Sequence, residues 1–236
     1  MRKMPEKRVK TGVPGLDEML QGGFPENHII VVMGSFGTGK TTLALQYLIE
    51  GLQNEEPCIF ISLEEDKDSI LKNAESFGWD FAFALEKKKL GLFKLEPSDA
   101  KTTITRVKSE LPKFIKSFGA KRVVLDSVSL LNMMFTDDSE RRANMFNLCQ
   151  LLRTTGATSV LTAEVKDENP RSSRDGLAEY TADGVILLQS DERAEGGEVQ
   201  LTLRILKMRR TAHSRRVKPY SITDKGMVVH AGADVF

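Results

Sequence analysis

Gly34-Ser35-Phe36-Gly37-Thr38-Gly39-Lys40-Thr41 fits the pattern G-x-x-x-x-G-K-[ST] position by position. The residue types explain the chemistry. Glycines at 34, 37 and 39 let the main chain approach a ligand without Cβ atoms in the way. Free backbone N–H groups at a helix N-terminus can then receive phosphate oxygens. Lys40 is placed to reach the β- and γ-phosphates, and the Thr41 hydroxyl to ligate Mg2+. Ser35, Phe36, Thr38 and the following Thr42 complete the candidate nucleotide-binding set. The competing reading is a glycine turn with an incidental lysine, and the flanking sequence decides against it. Ile29-Ile30-Val31-Val32-Met33 runs straight into the loop as a buried strand. Leu43, Ala44, Leu45, Tyr47, Leu48 and Ile49 follow with helical spacing, and no Pro or Gly intervenes before Gly51. A nucleoside triphosphate is the expected ligand.

Three acidic positions close apolar strands. Asp126 ends Arg122-Val123-Val124-Leu125, the usual place of the carboxylate that holds the metal of a bound triphosphate. An N-cap is the structural alternative. Glu64 and Glu65 close Cys58-Ile59-Phe60-Ile61-Ser62-Leu63 on the same sheet edge. A carboxylate pair suits the activation of an attacking water, because crowding two charges raises the pKa of one of them. Equally, both could complement the positive end of the next helix, worth a few tenths to about 1 kcal/mol. Glu164 ends a fourth strand and is a candidate sensor of the γ-phosphate.

Basic residues gather late in the chain. Lys207 and Arg209 are two apart, so an extended strand points both to one face. Arg210, His213, Arg215 and Arg216 follow on the expected connecting turn. A solvated hairpin with charged edges, an arginine finger for a neighbouring subunit's nucleotide and a nucleic-acid patch all fit. Spacing alone leaves these three open.

The elements that must position these groups alternate. Helices are expected at 40–52 and 67–77, and strands at 29–33, 58–63, 122–126, 158–163 and 184–189. Met145, Leu148, Cys149 and Leu152 give one further helix its buried face. Another carries the stripe Ile104, Val107, Leu111, Phe114, Ile115 and Phe118, in which Pro112 should produce a kink or break. Residues 79–101 show no clear pattern. From about 190 the rhythm changes to antiparallel strands near 199–207, 218–222 and 227–230. The expected fold is α/β: a twisted, mostly parallel sheet flanked by helices, with a C-terminal antiparallel extension. Residues 1–10 read as a mobile basic arm, and 11–236 as a single domain.

Composition excludes several classes. The 236 residues are 40% apolar and 28% charged, with a net charge of +1, as expected of an ordinary soluble domain. That balance gives no global steering toward nucleic acid. Apolar runs are far short of the roughly 20 residues a membrane span requires. The basic N-terminus leads into no apolar segment, so a cytoplasmic location is expected. Cys58 and Cys149 lack metal-binding spacing and read as reduced, buried thiols.

Together these motifs carry a resemblance. Thr11-Gly12-Val13-Pro14-Gly15-Leu16-Asp17, the loop GSFGTGKTT, Ser62-Leu63-Glu64-Glu65, Val124-Leu125-Asp126-Ser127 and Leu206-Lys207-Met208-Arg209 through His213 look like one KaiC domain, of the RecA-like branch of P-loop ATPases. The likeness covers about 8–235 and suggests a single-domain form found mainly in archaea. It implies a RecA-like fold that binds ATP or ADP with Mg2+ and assembles into a ring, often six-membered, with hydrolysis at the subunit interfaces. Glu64 and Glu65 match the family's catalytic glutamates. Lys207 and Arg209 match residues that reach the neighbour's γ-phosphate, and His213 belongs to the same segment. One departure stands out: Glu179-Tyr180 occupies the place of the adjacent Ser-Thr pair of the autophosphorylating domain, which puts autokinase activity in doubt. A nucleotide-responsive module serving an unidentified protein partner, with incidental hydrolysis, is the alternative function. A recombinase-like filament on DNA is a weaker third reading.

Overall fold

Continuous apolar runs buried on both faces are the mark of parallel strands, and here they assemble into one nine-stranded sheet. The computed structural model describes residues 7–95, 109–166, 172–173, 176, 178–191 and 199–233. In chain order the strands are β1 (Arg8–Val9), β2 (Phe24–Pro25), β3 (Ile29–Gly34), β4 (Cys58–Ser62), β5 (Leu90–Lys94), β6 (Arg122–Asp126), β7 (Thr158–Glu164), β8 (Gly184–Asp191), β9 (Gln200–Met208), β10 (Lys218–Thr223) and β11 (Gly226–Val229). The described helices are α1 (Leu16–Met19), α2 (Lys40–Gln53), α3 (Lys67–Ser76), α4 (Phe81–Glu86), α5 (Leu111–Phe118), α6 (Val128–Met133), α7 (Asp138–Thr155) and α8 (Ala178–Thr181).

The main sheet runs β11-β10-β9-β8-β3-β7-β6-β4-β5. From β8 to β5 every pairing is parallel, and from β8 outward to β11 every pairing is antiparallel. The mostly parallel sheet with a C-terminal antiparallel extension is therefore as expected. Alternation along each strand divides the core. Ile30, Val32, Phe60, Val124, Val160 and Ile186 face α2, α3 and α4. Ile29, Val31, Met33, Ile59, Ile61, Val123, Leu125 and Leu161 face the opposite layer, with α5, α6 and α7.

Two expectations need correction, and one is met. Arg8 and Val9 are not part of a mobile arm: they pair antiparallel with Pro25 and Phe24; residues 1–6 lie outside the described set. Pro112 marks the expected break: a turn at Glu110 separates the helical Ser109 from α5, and the proline sits in the first turn of α5, where its missing N–H would have no intrahelical partner anyway. Ile104 and Val107, assigned to the same stripe, fall outside the described residues. Part of the unassigned stretch is regular: α4 is capped by Asp80, whose side chain accepts the Phe83 N–H, and β5 pairs with β4 at the sheet edge.

Gly51 does not end α2, which continues to Gln53. A Cβ there would lie 2.4 Å from Cδ of Arg122. The glycine makes room for a guanidinium that is almost wholly buried. Arg122 pairs with Glu56 at 2.6 Å, donates to the carbonyls of Lys10 and Tyr47 and lies 4.7 Å from the Tyr47 ring centre.

Candidate active site

The phosphate loop leaves β3 at the carboxyl edge of the parallel strands and enters α2. Gly39, at φ 81, turns the chain into that helix without a side-chain cap, so its first N–H groups face outward. Within the loop, the Thr38 hydroxyl and the Lys40 ammonium both donate to the Ser35 carbonyl, at 2.8 and 2.9 Å. From the antiparallel extension, the Tyr220 hydroxyl donates to the Thr38 carbonyl at 2.6 Å. Gln46 on α2 donates to the Met227 carbonyl and accepts its N–H. The extension thus braces both the loop and its helix.

Beside Lys40 stands a group of carboxylates. Asp126 is buried; its Oδ2 accepts the Thr41 hydroxyl at 2.7 Å, and its Oδ1 accepts that of Thr162. Glu164 is aligned with Gly34 across β3 and β7, and its N–H donates to the Ser129 hydroxyl at 2.8 Å. Glu64 accepts the Ser127 hydroxyl at 2.7 Å. Burial lowers the pKa of Lys40, and the charges of Asp126, Glu164 and Glu64 offset this in part. Burial likewise raises that of Asp126, against the two threonine hydroxyls. Glu65 turns away: its carboxylate accepts the Ser69 hydroxyl at 2.7 Å, at the start of α3. Both glutamate N–H groups donate to the Ser62 hydroxyl.

The donor set fits a hard divalent cation. Thr41 and Asp126 offer a hydroxyl and a carboxylate oxygen at one point beside the phosphate loop, and Mg2+ is typically held by one or two carboxylates plus substrate phosphates. No group of three or more His, Cys, Asp or Glu able to hold a metal occurs among the described residues. Phosphate oxygens and water would have to fill the other positions.

Lys207 and Arg209 lie elsewhere. Lys207 is aligned with Val185 and Met208 with Gly184, at the beginning of β8, and Gly184 in turn with Ile30. They therefore occupy the amino edge of the parallel strands. The phosphate loop leaves the carboxyl edge, about five residues or roughly 16 Å along β3. Lys207 donates to the carbonyls of Ala182 and Glu179, at 2.7 and 3.0 Å. Burial and the adjacent Arg209 charge lower its pKa. Arg209 pairs with Asp183 at 3.4 Å. Arg153 joins the same carboxylate at 3.2 Å. His213 lies on the β9–β10 connection; its Nδ1 is 3.3 Å from the Thr211 carbonyl, and its buried Nε2 has no hydrogen-bond partner among the described residues.

With this geometry in hand, the chain was compared with known proteins. The family model described as "ATPase: KaiC" matches residues 9–234. The chain belongs to the KaiC family of ATPases. Among its relatives, a UPF0273 protein of Thermotoga maritima is 36% identical, with 95% of this chain and 96% of that protein covered. The circadian clock oscillator protein KaiC of Synechococcus elongatus is 33% identical over 93% of this chain, which spans only 43% of that longer protein. The crystal structure of a KaiC-like protein from Pyrococcus horikoshii superposes with a TM-score of 0.84 at 33% identity, covering 96% of this chain and all of that one. A single KaiC-like ATPase domain of the archaeal type is thus what the sequence resembles and what the comparisons show. No helix among the described residues is long and apolar enough to cross a membrane.

Sequence reasoning missed the hydroxyls that hold the carboxylates: Thr162 on Asp126, Ser127 on Glu64, Ser69 on Glu65 and Ser129 under Glu164. A signal was present for some of them. Ser62, Ser127 and Thr162 interrupt or end apolar runs at the same sheet edge as Asp126, where a polar residue must find a partner. Asp183 and Arg153 carried no comparable signal, since their meeting depends on how α7 and β8 converge.

Proposed function

We propose that this chain hydrolyses ATP at sites completed by a neighbouring copy of itself, in a closed homo-oligomer of regulatory role. The observation that carries the reading is the placement of the candidate groups at opposite ends of one sheet. Lys40, Thr41, Asp126 and Glu64 gather around the phosphate loop, whereas Lys207 and Arg209 stand at the far edge, too distant to serve their own loop. In this reading Lys40 and the loop N–H groups bind the phosphates. Thr41 and Asp126 would hold a Mg2+ ion, which would neutralise phosphate charge when bound. Glu64, steadied by Ser127, accepts a proton from the attacking water, and Glu65 joins it only on leaving the Ser69 hydroxyl that holds it in this structure. Lys207 and Arg209 from the next copy, with His213 in the same segment, offset the charge that develops on the γ-phosphate.

The test has two parts. Glu64→Gln combined with Glu65→Gln retains ATP binding, and turnover falls about 10²–10⁴-fold, the usual worth of a general base. Arg209→Ala subunits are inactive alone, yet regain activity when mixed with the Glu64→Gln/Glu65→Gln subunits. Where the loop of an Arg209→Ala subunit meets the basic edge of a Glu64→Gln/Glu65→Gln subunit, both halves of the site are intact; the reverse contact carries both defects. Stable mixed assemblies without any recovery refute action between subunits.

A further inference from the structure

Phe36 stands at the tip of the phosphate loop with 93% of its surface exposed. The loop's backbone serves phosphate, but nothing in that role asks for a bare phenyl ring. Phe36 is the most exposed large apolar side chain among the described residues, and its loop is tied down through Thr38 and Lys40. The second half of the observation lies at the basic edge. Tyr180 is 78% exposed and Phe146 52% exposed. With Arg142 and Thr181 they line an open cleft of about 300 Å3. A cavity of about 150 Å3 already holds a benzene ring.

The cleft is continuous with the basic group. Arg209 Nη2 lies 3.5 Å from the Tyr180 carbonyl, and Lys207 donates to the Glu179 carbonyl within α8 and to the Ala182 carbonyl just after it. Charge is complementary as well. The loop edge carries Glu64, Glu65, Asp66 and Glu164 against Lys40, and the cleft edge carries Arg142, Arg153, Lys207, Arg209 and Arg210 against Glu179 and Asp183, so the balance is acidic on one side and basic on the other. Opposite fields of this kind orient two surfaces before they touch.

We infer that Phe36 of one copy seats in the Arg142–Phe146–Tyr180–Thr181 cleft of the next copy. This rests on the proposed completion of the site between subunits: if Lys207 and Arg209 of one chain reach the loop of another, the loop tip must meet the surface beside them. The contact is heterologous, a knob on one edge and a hole on the other, so each chain offers both halves. It gives the loop a way to sense its neighbour that does not pass through the phosphates. It also makes Phe36 a specificity element for self-association, with an aromatic anchor in a pocket as the expected energetic centre.

The decisive experiment is cysteine cross-linking with a non-hydrolysable ATP analogue present. Phe36→Cys chains mixed with Tyr180→Cys chains form covalent dimers on mild oxidation, and a chain carrying both changes forms a ladder of larger species. Either variant alone stays uncrosslinked, because Cys58 and Cys149 are buried. In parallel, Phe36→Ser and Tyr180→Ala raise the concentration for half-assembly at least tenfold, measured by solution mass, whereas Phe36→Leu changes it less than threefold. Assemblies that form normally in both polar and truncated variants, with no cross-link, overturn the inference and leave the cleft to another protein or another segment. The Arg209→Ala complementation separates this outcome from failure of the functional reading. Complementation without cross-linking sinks the Phe36 contact alone, and cross-linking without complementation sinks the catalytic role of the neighbour alone. Loss of both, with a monomer at every concentration, sinks the two together.

Discussion

Asp183 ties three parts of the molecule to one carboxylate. It accepts the Ile29 N–H at 3.1 Å and pairs with Arg153 and Arg209, while its own carbonyl accepts the Arg209 N–H at 2.8 Å. Burial by itself would raise its pKa. The Ile29 N–H and the Arg153 guanidinium outweigh that and hold it below the ordinary aspartate value of 3.8. A carboxylate held low in the folded state contributes stability that is present above 3.8 and is lost as the pH falls through its folded value. Asp183→Asn should therefore cost about 1–2 kcal/mol at pH 7, between an exposed ion pair and a hydrogen bond to a buried charge. The difference from the parent protein should fade on acidification below about pH 4. Urea denaturation of both proteins from pH 7 down to pH 3 measures it, and a pH-independent difference would mean that the charge is not what matters. At this scale the candidate site was only half legible. Gly34 to Thr41, Asp126 and Glu64 announce themselves because their chemistry is local: each sits at a strand end where spacing alone says what faces the edge. Ser127, Thr162 and Asp183 act through partners distant in sequence, 63, 36 and 26 residues away respectively for Glu64, Asp126 and Arg209. No local pattern encodes such meetings.

Among the elements, α2 carries the heaviest positional demand, since it must present the phosphate loop and still pack against β6. Gly51 and Arg122 meet that demand jointly. Arg122→Met should lower stability by about 3 kcal/mol, the lower end for breaking a buried pair, because Glu56 is partly exposed and can rehydrate. Two carbonyls, of Lys10 and Tyr47, lose their donor at the same time. Thermal and denaturant unfolding read the loss; an unchanged midpoint would show that the guanidinium is replaceable by packing. Most elements were legible for a simple reason. A strand buried on both faces has to be apolar along its middle, so Ile29 to Met33 and Val123 to Leu125 are visible in a single sequence. The exceptions are equally physical. Gly51 falls inside the expected helix 40–52 although helix propensity disfavours it, and only the bulk of Arg122 explains its place within α2. β5 is a short edge strand interrupted by Gly91, and α4 has six residues. Neither is long enough to set up a period. Pro112, by contrast, reads as a break, and a turn at Glu110 does interrupt the helical residues there.

For the whole molecule, the consequence lies in the two edges of the sheet. A chain with its phosphate loop at one edge and its basic residues at the other is directional, as a link with a hook and an eye is directional. Under the proposed arrangement a lone chain holds no complete site. An open string of n chains holds n − 1, and only closure brings the count to n. The one end chain whose loop meets no neighbour would bind nucleotide without turning it over. Specific activity should then be a measure of closure rather than of nucleotide occupancy: diluted below its assembly concentration, the protein should lose hydrolysis steeply while still binding ATP. Turnover per chain measured across a dilution series, beside bound nucleotide in the same samples, would show the two quantities separating. If they fall together, the count is wrong. Such a molecule reports its own concentration and completeness through its rate, and a partner that opened one joint would be registered as the loss of a single site in the circle.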